Sequence, residues 1–209
     1  MCGRFILLTD LSVIIKSFDI QNVAGEYRPG SNISPGQQIT AVLRKDNQNS
    51  LVNFRWGLIP SWAKDPTIGN RMINARAETI AEKPSFKNAF HKRRCLIPAD
   101  GFYEWEKLGK VKKPLRFSLK SGEPFGLAGL YETWISPEKK PVNTCTIITT
   151  EPNDLLRPIH DRMPVIVPKE QEAAWIDPDN HNQKELLSIL KPYQAVEMDM
   201  SEAIMPVIS

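Results

Sequence analysis

The first amphipathic pattern in the chain lies close to its start. Leu11, Ile14 and Phe18 recur at the three- and four-residue spacing of one helical face. Asp10 precedes them, and a side chain of this kind caps a helix N-terminus. The pattern therefore predicts a short helix here. Similar spacing predicts further short helices over residues 85–91, 153–157, 169–175 and 184–190.

Apolar runs of strand length occupy much of the remaining sequence. They cover residues 39–44, 51–58, 95–105, 115–119, 126–134 and 144–149, with two later candidates at 163–167 and 195–198. Turn-forming residues separate most of them. Because many strands follow one another and only short helices intervene, the pattern predicts an α+β fold with a mostly antiparallel, pseudo-barrel-like sheet. We expect a single domain over residues 1–209, since no linker or repeat interrupts the chain.

Composition narrows the class of protein more than its function. The chain has 209 residues, of which 41% are hydrophobic and 24% charged, as is ordinary for a globular domain. A net charge of +3 permits nucleic-acid binding only through a local patch. No apolar run is long enough to span a membrane, and no signal-peptide pattern opens the chain. We therefore expect a cytoplasmic protein that does not bind membranes.

The cysteines argue against two common kinds of site. Cys2, Cys95 and Cys145 are odd in number and widely spaced, which favours neither a zinc site nor a disulfide framework. We expect no metal and no cofactor, and a reducing compartment.

Cys2 also stands where removal of Met1 would leave a free α-amine beside a thiol. An α-amine titrates near ~7.7–8.0 and a lysine amine near ~10.4, so the α-amine is far more often nucleophilic at neutral pH. An amine and a thiol on adjacent carbons convert an aldehyde first to an imine and then to a thiazolidine. From position alone, however, an incidental cysteine on a frayed terminus is the better interpretation.

Two further residues carry acid–base chemistry, each with a plainer alternative. Glu104 lies between Tyr103 and Trp105 on an apolar strand. If it faces inward, burial raises its pKa and suits a general acid or base, but strand alternation makes an exposed position about equally good. His160 is one of only three histidines and occupies a proline-bounded turn that could aim its imidazole. A lone histidine is more often structural.

Two pairs of side chains suit nucleic-acid contacts. Asn74 and Arg76 are two residues apart, so on an extended segment they face one side and could hold a phosphate or sugar. A turn-forming asparagine and a solvated arginine explain them equally well. Trp56 and Trp62 bracket a rigid turn and could stack on unpaired bases. Tryptophan is more often core, and we expect at least one of the two to be buried.

Together these stretches resemble a known family. They are Met-Cys-Gly-Arg-Phe at 1–5, Arg-Trp-Gly-Leu-Ile-Pro-Ser-Trp at 55–62, Asn-Ala-Arg-Ala-Glu-Thr at 74–79, Gly-Phe-Tyr-Glu-Trp at 101–105 and His-Asp-Arg-Met-Pro at 160–164. In this order they closely resemble the SRAP family, the SOS response-associated peptidases, as far as about residue 168. The resemblance implies a compact α+β unit around a pseudo-barrel sheet.

The resemblance also implies a function. Such a protein crosslinks to abasic sites in single-stranded DNA through a thiazolidine formed by Cys2 after loss of Met1, and so protects the lesion during the DNA damage response. It implies that Asn74 positions the cysteine and sugar, that Glu104 transfers protons and that His160 opens the sugar ring. Implied DNA contacts come from Arg4, Arg76 and Arg162 to the backbone, from Trp56 and Trp62 to the bases, and from the loop 31–37. Autopeptidase and abasic-site lyase activities are compatible with it, and we expect a monomer.

Two other functions remain open at this point. In a cysteine peptidase, Cys2 would be the nucleophile, His160 the base and Glu104 the group that orients it. Only Met1 precedes Cys2, so self-cleavage would release a single residue. In a non-covalent reader of modified or damaged DNA, binding would survive loss of both the thiol and the amine.

Overall fold

The computed structural model describes residues 2–109 and 111–203. The α-helices are α1 (Leu11–Ser17), α2 (Lys87–Lys92), α3 (Glu172–Ile176) and α4 (Gln183–Ile189). Short 3₁₀ helices span Pro66–Arg71, Ala77–Thr79, Lys169–Gln171 and Ala195–Glu197. The strands are β1 (Phe5–Leu7), β2 (Ile20–Val23), β3 (Gly30–Ile33), β4 (Gln38–Lys45), β5 (Gln48–Trp56), β6 (Asn74–Arg76), β7 (Arg94–Ala99), β8 (Gly101–Leu108), β9 (Val111–Leu119), β10 (Phe125–Ile135), β11 (Pro141–Thr150), β12 (Met163–Pro164), β13 (Ile166–Val167) and β14 (Met198–Glu202).

The N-terminal strand lies inside an antiparallel sheet. Five of the described strands form this sheet in the order β14-β9-β8-β1-β3. Phe5 of β1 pairs with Phe102 of β8 on one side and with Ile33 of β3 on the other. Phe102 and Phe117 stack with ring centroids 5.3 Å apart and are fully buried. Residues at the start of the chain are therefore held beside β8.

The second sheet closes on itself. Its order is β12-β11-β10-β7-β4-β5-β2, and β11 also pairs in parallel with β5. Strands β11, β10, β7, β4 and β5 thus form a closed ring, with β6 alongside β11 and β13 alongside β10. Closure satisfies the backbone groups of both ring edges. The predicted α+β fold with a mostly antiparallel, barrel-like sheet is confirmed.

A bend at Asp100 connects the two sheets. The run 95–105 was predicted as one strand, but β7 ends at Ala99 in the barrel and β8 begins at Gly101 in the five-stranded sheet. The Asp100 carboxylate accepts hydrogen bonds from the backbone N–H groups of Leu8 and Thr9. A Cβ at position 101 would lie only 2.8 Å from the carbonyl oxygen of Phe117, so glycine alone fits there. The bend carries Glu104 out of the barrel and places it beside the N-terminal segment.

Most of the predicted helices are confirmed, as α1, α2, α3 and α4. The helix predicted over 153–157 is wrong, because this segment forms turns. The Asn153 side chain accepts from Leu156 N–H and donates to the Tyr193 carbonyl, and Pro158 follows. The strand predicted over 195–198 is a 3₁₀ helix from which β14 starts. Among the described residues, no helix has the length and apolar character needed to cross a membrane.

Candidate active site and nucleic-acid interface

Cys2 belongs to the N-terminal segment, which runs alongside β8. The carbonyl of Arg4 accepts a hydrogen bond from the Tyr103 N–H at 2.9 Å, which extends the pairing of β1 with β8 towards the chain start. Cys2 is fully buried, and this burial raises the pKa of its thiol well above the usual range. The negative charge of Glu104 raises the thiol pKa further. The thiol is therefore protonated at neutral pH, next to a carboxyl group that can receive its proton.

Glu104 faces inward. Its side chain is only 2% exposed, which removes the alternative of a solvated glutamate on the outer face of the strand. Burial raises the pKa of Glu104 to about 7, and the negative charge of Asp161 also raises it. A carboxyl group with this pKa is present in both protonation states at neutral pH, as general acid–base catalysis requires.

His160 is held by the turn that precedes β12. Its backbone N–H donates to the Leu156 carbonyl at 2.9 Å. Its Nδ1 lies 3.0 Å from the backbone nitrogen of Arg162 and 2.9 Å from Oδ1 of Asp161. A neutral imidazole accepts the Arg162 N–H at Nδ1, whereas a protonated imidazole donates to Asp161. Burial lowers the pKa of His160, so the neutral form with its proton on Nε2 is favoured at neutral pH.

The side chain of Asn74 has a buried acceptor that lacks a donor among the described residues. It lies on β6, which pairs with β11 so that Asn74 is opposite Ile147. Its Nδ2 donates to the Ile147 carbonyl at 3.4 Å. Its Oδ1 is buried and accepts no hydrogen bond from any residue in the described ranges. Because a buried acceptor without a donor is costly, this oxygen is suited to a ligand donor.

Arg162 connects the histidine turn to the segment that follows Asn74. Its guanidinium donates to both carboxylate oxygens of Glu78, at 2.6 and 2.9 Å, and to the Thr149 carbonyl at 2.6 Å. The hydrogen bond from Arg162 lowers the pKa of Glu78, so the pair is ionised. A phosphate contact at Arg162 stays a prediction; in the structure without DNA its charge is compensated by Glu78 and its side chain is mostly buried.

The two tryptophans of the 55–62 motif have different environments. Trp56 is 1% exposed; its Nε1 donates to the Ile73 carbonyl at 2.8 Å and its ring lies 5.5 Å from that of Phe5. The expectation that Trp56 contacts bases is therefore wrong, since strand alternation turns it into the core. Instead it fixes the spacing between the segments that carry Cys2 and Asn74.

Trp62 is 58% exposed. The turn that carries it is braced, because Trp134 Nε1 donates to the Ala63 carbonyl at 2.7 Å. The structure thus presents one large aromatic surface to solvent from a rigid support.

Arg4 and Arg76 remain available for phosphates. Arg4 is half-buried, and its guanidinium donates to Asn32 Oδ1 at 2.8 Å, which ties the N-terminal segment to β3; the first residues of the segment 31–37, expected as a loop, belong to this strand. Arg76 is exposed and shares a face of β6 with Asn74, because Ala75 between them points into the core. Asp161 and Glu78 were not singled out from sequence; both lie inside the quoted motifs, but only the fold shows that the charge of Asp161 acts on Glu104 and that Glu78 pairs with Arg162.

Comparison with known proteins agrees with the sequence motifs. The family model for SOS response associated peptidases (SRAP) matches residues 1–207. The chain belongs to this family. Among SRAP relatives, abasic site processing protein YoqW of Bacillus subtilis is 51% identical over 202 residues, covering 95% of this chain and 90% of the relative. Abasic site processing protein HMCES of Gallus gallus is 29% identical over 204 residues, covering 82% of this chain and 61% of the relative.

Solved structures show the same SRAP architecture. A crystal structure of a protein from Bacteroides thetaiotaomicron superposes with a TM-score of 0.89 at 28% identity. The superposition covers 96% of this chain and 91% of that chain.

Proposed function

We propose that this protein processes abasic sites by forming a covalent crosslink with them in single-stranded DNA, through Cys2 freed by removal of Met1. The observation that carries the proposal is the antiparallel pairing of the N-terminal segment with β8, which brings Cys2 alongside the part of β8 that holds Glu104, a buried carboxyl group with a pKa of about 7 whose charge acts on the thiol. The SRAP relatives named as abasic site processing proteins support the same substrate.

In the proposed order of steps the amine reacts before the thiol. Since the thiol is protonated, the free α-amine attacks the C1′ aldehyde first and gives a carbinolamine. Glu104 in its acid form protonates the departing hydroxyl group, so that water leaves and the C=N bond of an imine forms. The imine carries a proton because its nitrogen kept one hydrogen; Glu104, now a carboxylate, takes the thiol proton while sulfur bonds to the imine carbon and the C=N π electrons return to nitrogen. The net result is a thiazolidine and one released water.

His160 acts before this sequence. Abasic sites exist mainly as cyclic hemiacetals, and opening the ring requires a proton at O4′ and loss of one from the C1′ hydroxyl. With Nδ1 engaged by the Arg162 N–H, the Nε2–H of His160 can donate a hydrogen bond to O4′ while the carboxylate form of Glu104 takes the proton of the C1′ hydroxyl and returns it to the ring oxygen, so that His160 stays neutral. His160→Ala should then slow crosslinking to an abasic site far more than crosslinking to a small aldehyde that has no ring. Equal losses on both substrates would contradict ring opening.

The flanking strand is held by the groups around this centre. Arg4 and Arg76 contact phosphates, Trp62 stacks on a base, and Asn74 Oδ1 accepts from the sugar or the amine. The strand is single because duplex walls would keep Cys2 from C1′. One monomer engages one lesion.

A cysteine peptidase is less well supported. Such an enzyme needs a thiolate, and a lowered thiol pKa is how a peptidase obtains one. Burial and the Glu104 charge shift the pKa of Cys2 in the opposite direction.

The decisive experiment is an intact-mass measurement. The protein, with Met1 removed, is mixed with single-stranded DNA carrying one abasic site, and a species at the sum of the two masses less one water is expected. A form in which Met1 is retained is the control, because it has the same thiol but no free amine at Cys2. No covalent species with either form, together with tight binding, would establish the non-covalent reader instead.

A further inference from the structure

The hairpin of β8 and β9 extends beyond the candidate active site. Near its base, Glu104 is buried opposite Leu115. At its tip, Leu108 and Val111 are directly paired and are 52% and 64% exposed. The two strands therefore lead from the reactive centre into solvent.

The hairpin carries an uncompensated pair of like charges. Lys107 of β8 stands directly opposite Lys112 of β9, and both are exposed. Like charges directly opposite each other destabilise a strand pair. The neighbouring Lys113 is paired with Glu202, but neither Lys107 nor Lys112 forms an ion pair within the described ranges. An anionic partner would relieve this repulsion.

The pair also lies within electrostatic range of the candidate site. Burial is the main cause of the lowered pKa of His160, and the positive charge of Lys107 lowers it further. Lys107 is three residues beyond Glu104, or about 10 Å at ~3.4 Å per residue. At the ~3.4 Å rise of a stacked strand, this corresponds to roughly three nucleotides from the lesion.

We propose that Lys107 and Lys112 bind phosphates of the DNA strand that flanks the lesion, so that the β8–β9 hairpin is an arm of the DNA-binding surface. This inference rests on the proposed function, because it takes the lesion to be held at Cys2. It adds a second phosphate-binding region to that of Arg4 and Arg76.

The test compares two double variants with the same change in charge. Lys107→Gln with Lys112→Gln removes the arm, and Lys139→Gln with Lys140→Gln removes two exposed lysines from the turn between β10 and β11. This turn lies at the opposite end of β11 from Thr149, which contacts Arg162. Affinity for undamaged single-stranded DNA is measured against salt. The arm variant should lose about 1.4 from the log–log slope, at about 0.7 for each phosphate contact, and the control variant should lose none.

Crosslinking to two lengths of DNA separates this inference from the proposed function. At pH 8, where His160 is neutral with or without the Lys107 charge, the arm variant should crosslink an abasic site with one nucleotide on each side at the parental rate. At subsaturating DNA it should crosslink substrates with eight flanking nucleotides on one side more slowly, for one or both polarities. If the arm variant keeps the parental salt slope and the parental rate on every substrate, the arm is excluded. The proposed function is unaffected by that result as long as the parent forms its adduct.

Slower reaction on the shortest substrate would also contradict the arm, because the lysines would then act on the chemistry itself. Lys107→Arg with Lys112→Arg keeps the charge and should restore the parental slope. Failure of the parent to form any adduct would overturn the proposed function, and the salt slopes would still decide whether the arm binds DNA.

Discussion

The buried centre and the exposed rim of the candidate site are built by different physical rules. Cys2 and Glu104 are enclosed, and burial shifts the pKa of each group. Arg76 and Trp62 stand in solvent on segments braced by strand pairing and by the Trp134 hydrogen bond to Ala63. Changes at the centre should therefore alter the rate of a chemical step, whereas changes at the rim should alter affinity and its salt dependence. Four predictions test this division, from the largest expected effect to the smallest.

Cys2→Ala should abolish the stable adduct. The variant keeps its α-amine once Met1 is removed, so it can still form an imine, but no sulfur closes the ring. We expect no adduct on a denaturing gel and a trapped species only when borohydride reduces the imine. Cys95→Ala is the matched control, because Cys95 is equally buried but lies in the barrel strand β7. A boiling-resistant adduct in Cys2→Ala would show that another residue is the nucleophile.

Glu104→Gln should slow crosslinking by about 10²–10⁴-fold at pH 7, since the shape is kept and the proton-transfer group is lost. Glu106→Gln, two residues further along β8, is the control. Stability gives an independent readout. Because the folded-state pKa of Glu104 is about 7 and the unfolded value is near ~4.3, the parent binds more protons when folded within this window.

The stability of the parent should therefore fall as pH rises from about 4.3 to 7, and Glu104→Gln should remove this part of the slope. Thermal unfolding at pH 5 and pH 8 measures it. If Glu104→Gln crosslinks at the parental rate and its stability changes with pH as the parent's does, then Glu104 has no part in the mechanism and its ionisation does not affect stability.

The same division explains how much could be predicted from sequence. The combination of an α-amine and a thiol at Cys2 follows from its position after Met1, but position alone favoured an incidental cysteine, and only the family motifs changed that interpretation. The orientation of Glu104 could not be predicted, because alternation allows either face. It is decided by the bend at Asp100, whose carboxylate accepts hydrogen bonds from Leu8 and Thr9, which lie 92 and 91 residues earlier in the chain. The pairing of Arg162 with Glu78 could not be predicted either, because Glu78 is 84 residues away in sequence.

The elements were predicted with the same limits. Long apolar runs, such as those of β4, β10 and β11, are confirmed almost to their ends. The strands that position the site, β1 and β6, have three residues each and were not predicted. Three residues carry too little alternation to be recognised, and these strands exist because longer neighbours pair with them.

Trp56→Ala and Trp62→Ala should have opposite effects, although both belong to one motif. Trp56→Ala removes a buried indole and its hydrogen bond to Ile73, and should cost about 3–5 kcal/mol of unfolding free energy. Trp62→Ala should leave unfolding nearly unchanged and weaken single-stranded DNA binding by about 1–3 kcal/mol, the contribution of one stacked base. Denaturant unfolding of both variants measures the change in stability, and DNA titration measures the change in affinity. Parental DNA affinity in Trp62→Ala would place the stacking surface elsewhere.

The smallest effect concerns two arginines that sequence alone treats alike. Arg76→Ala should lower the log–log salt slope of DNA binding by about 0.7, the value for one phosphate on a single strand, and leave the unfolding midpoint in place. Arg162→Ala should do the reverse, because it releases Glu78 and the Thr149 carbonyl while Arg162 itself offers little free charge to DNA. Titrations over a range of salt, with thermal unfolding of the same samples, separate the two. If Arg162→Ala flattens the salt slope as much as Arg76→Ala does, then DNA displaces Glu78 from Arg162. Arg162 would then belong to the rim that binds phosphates.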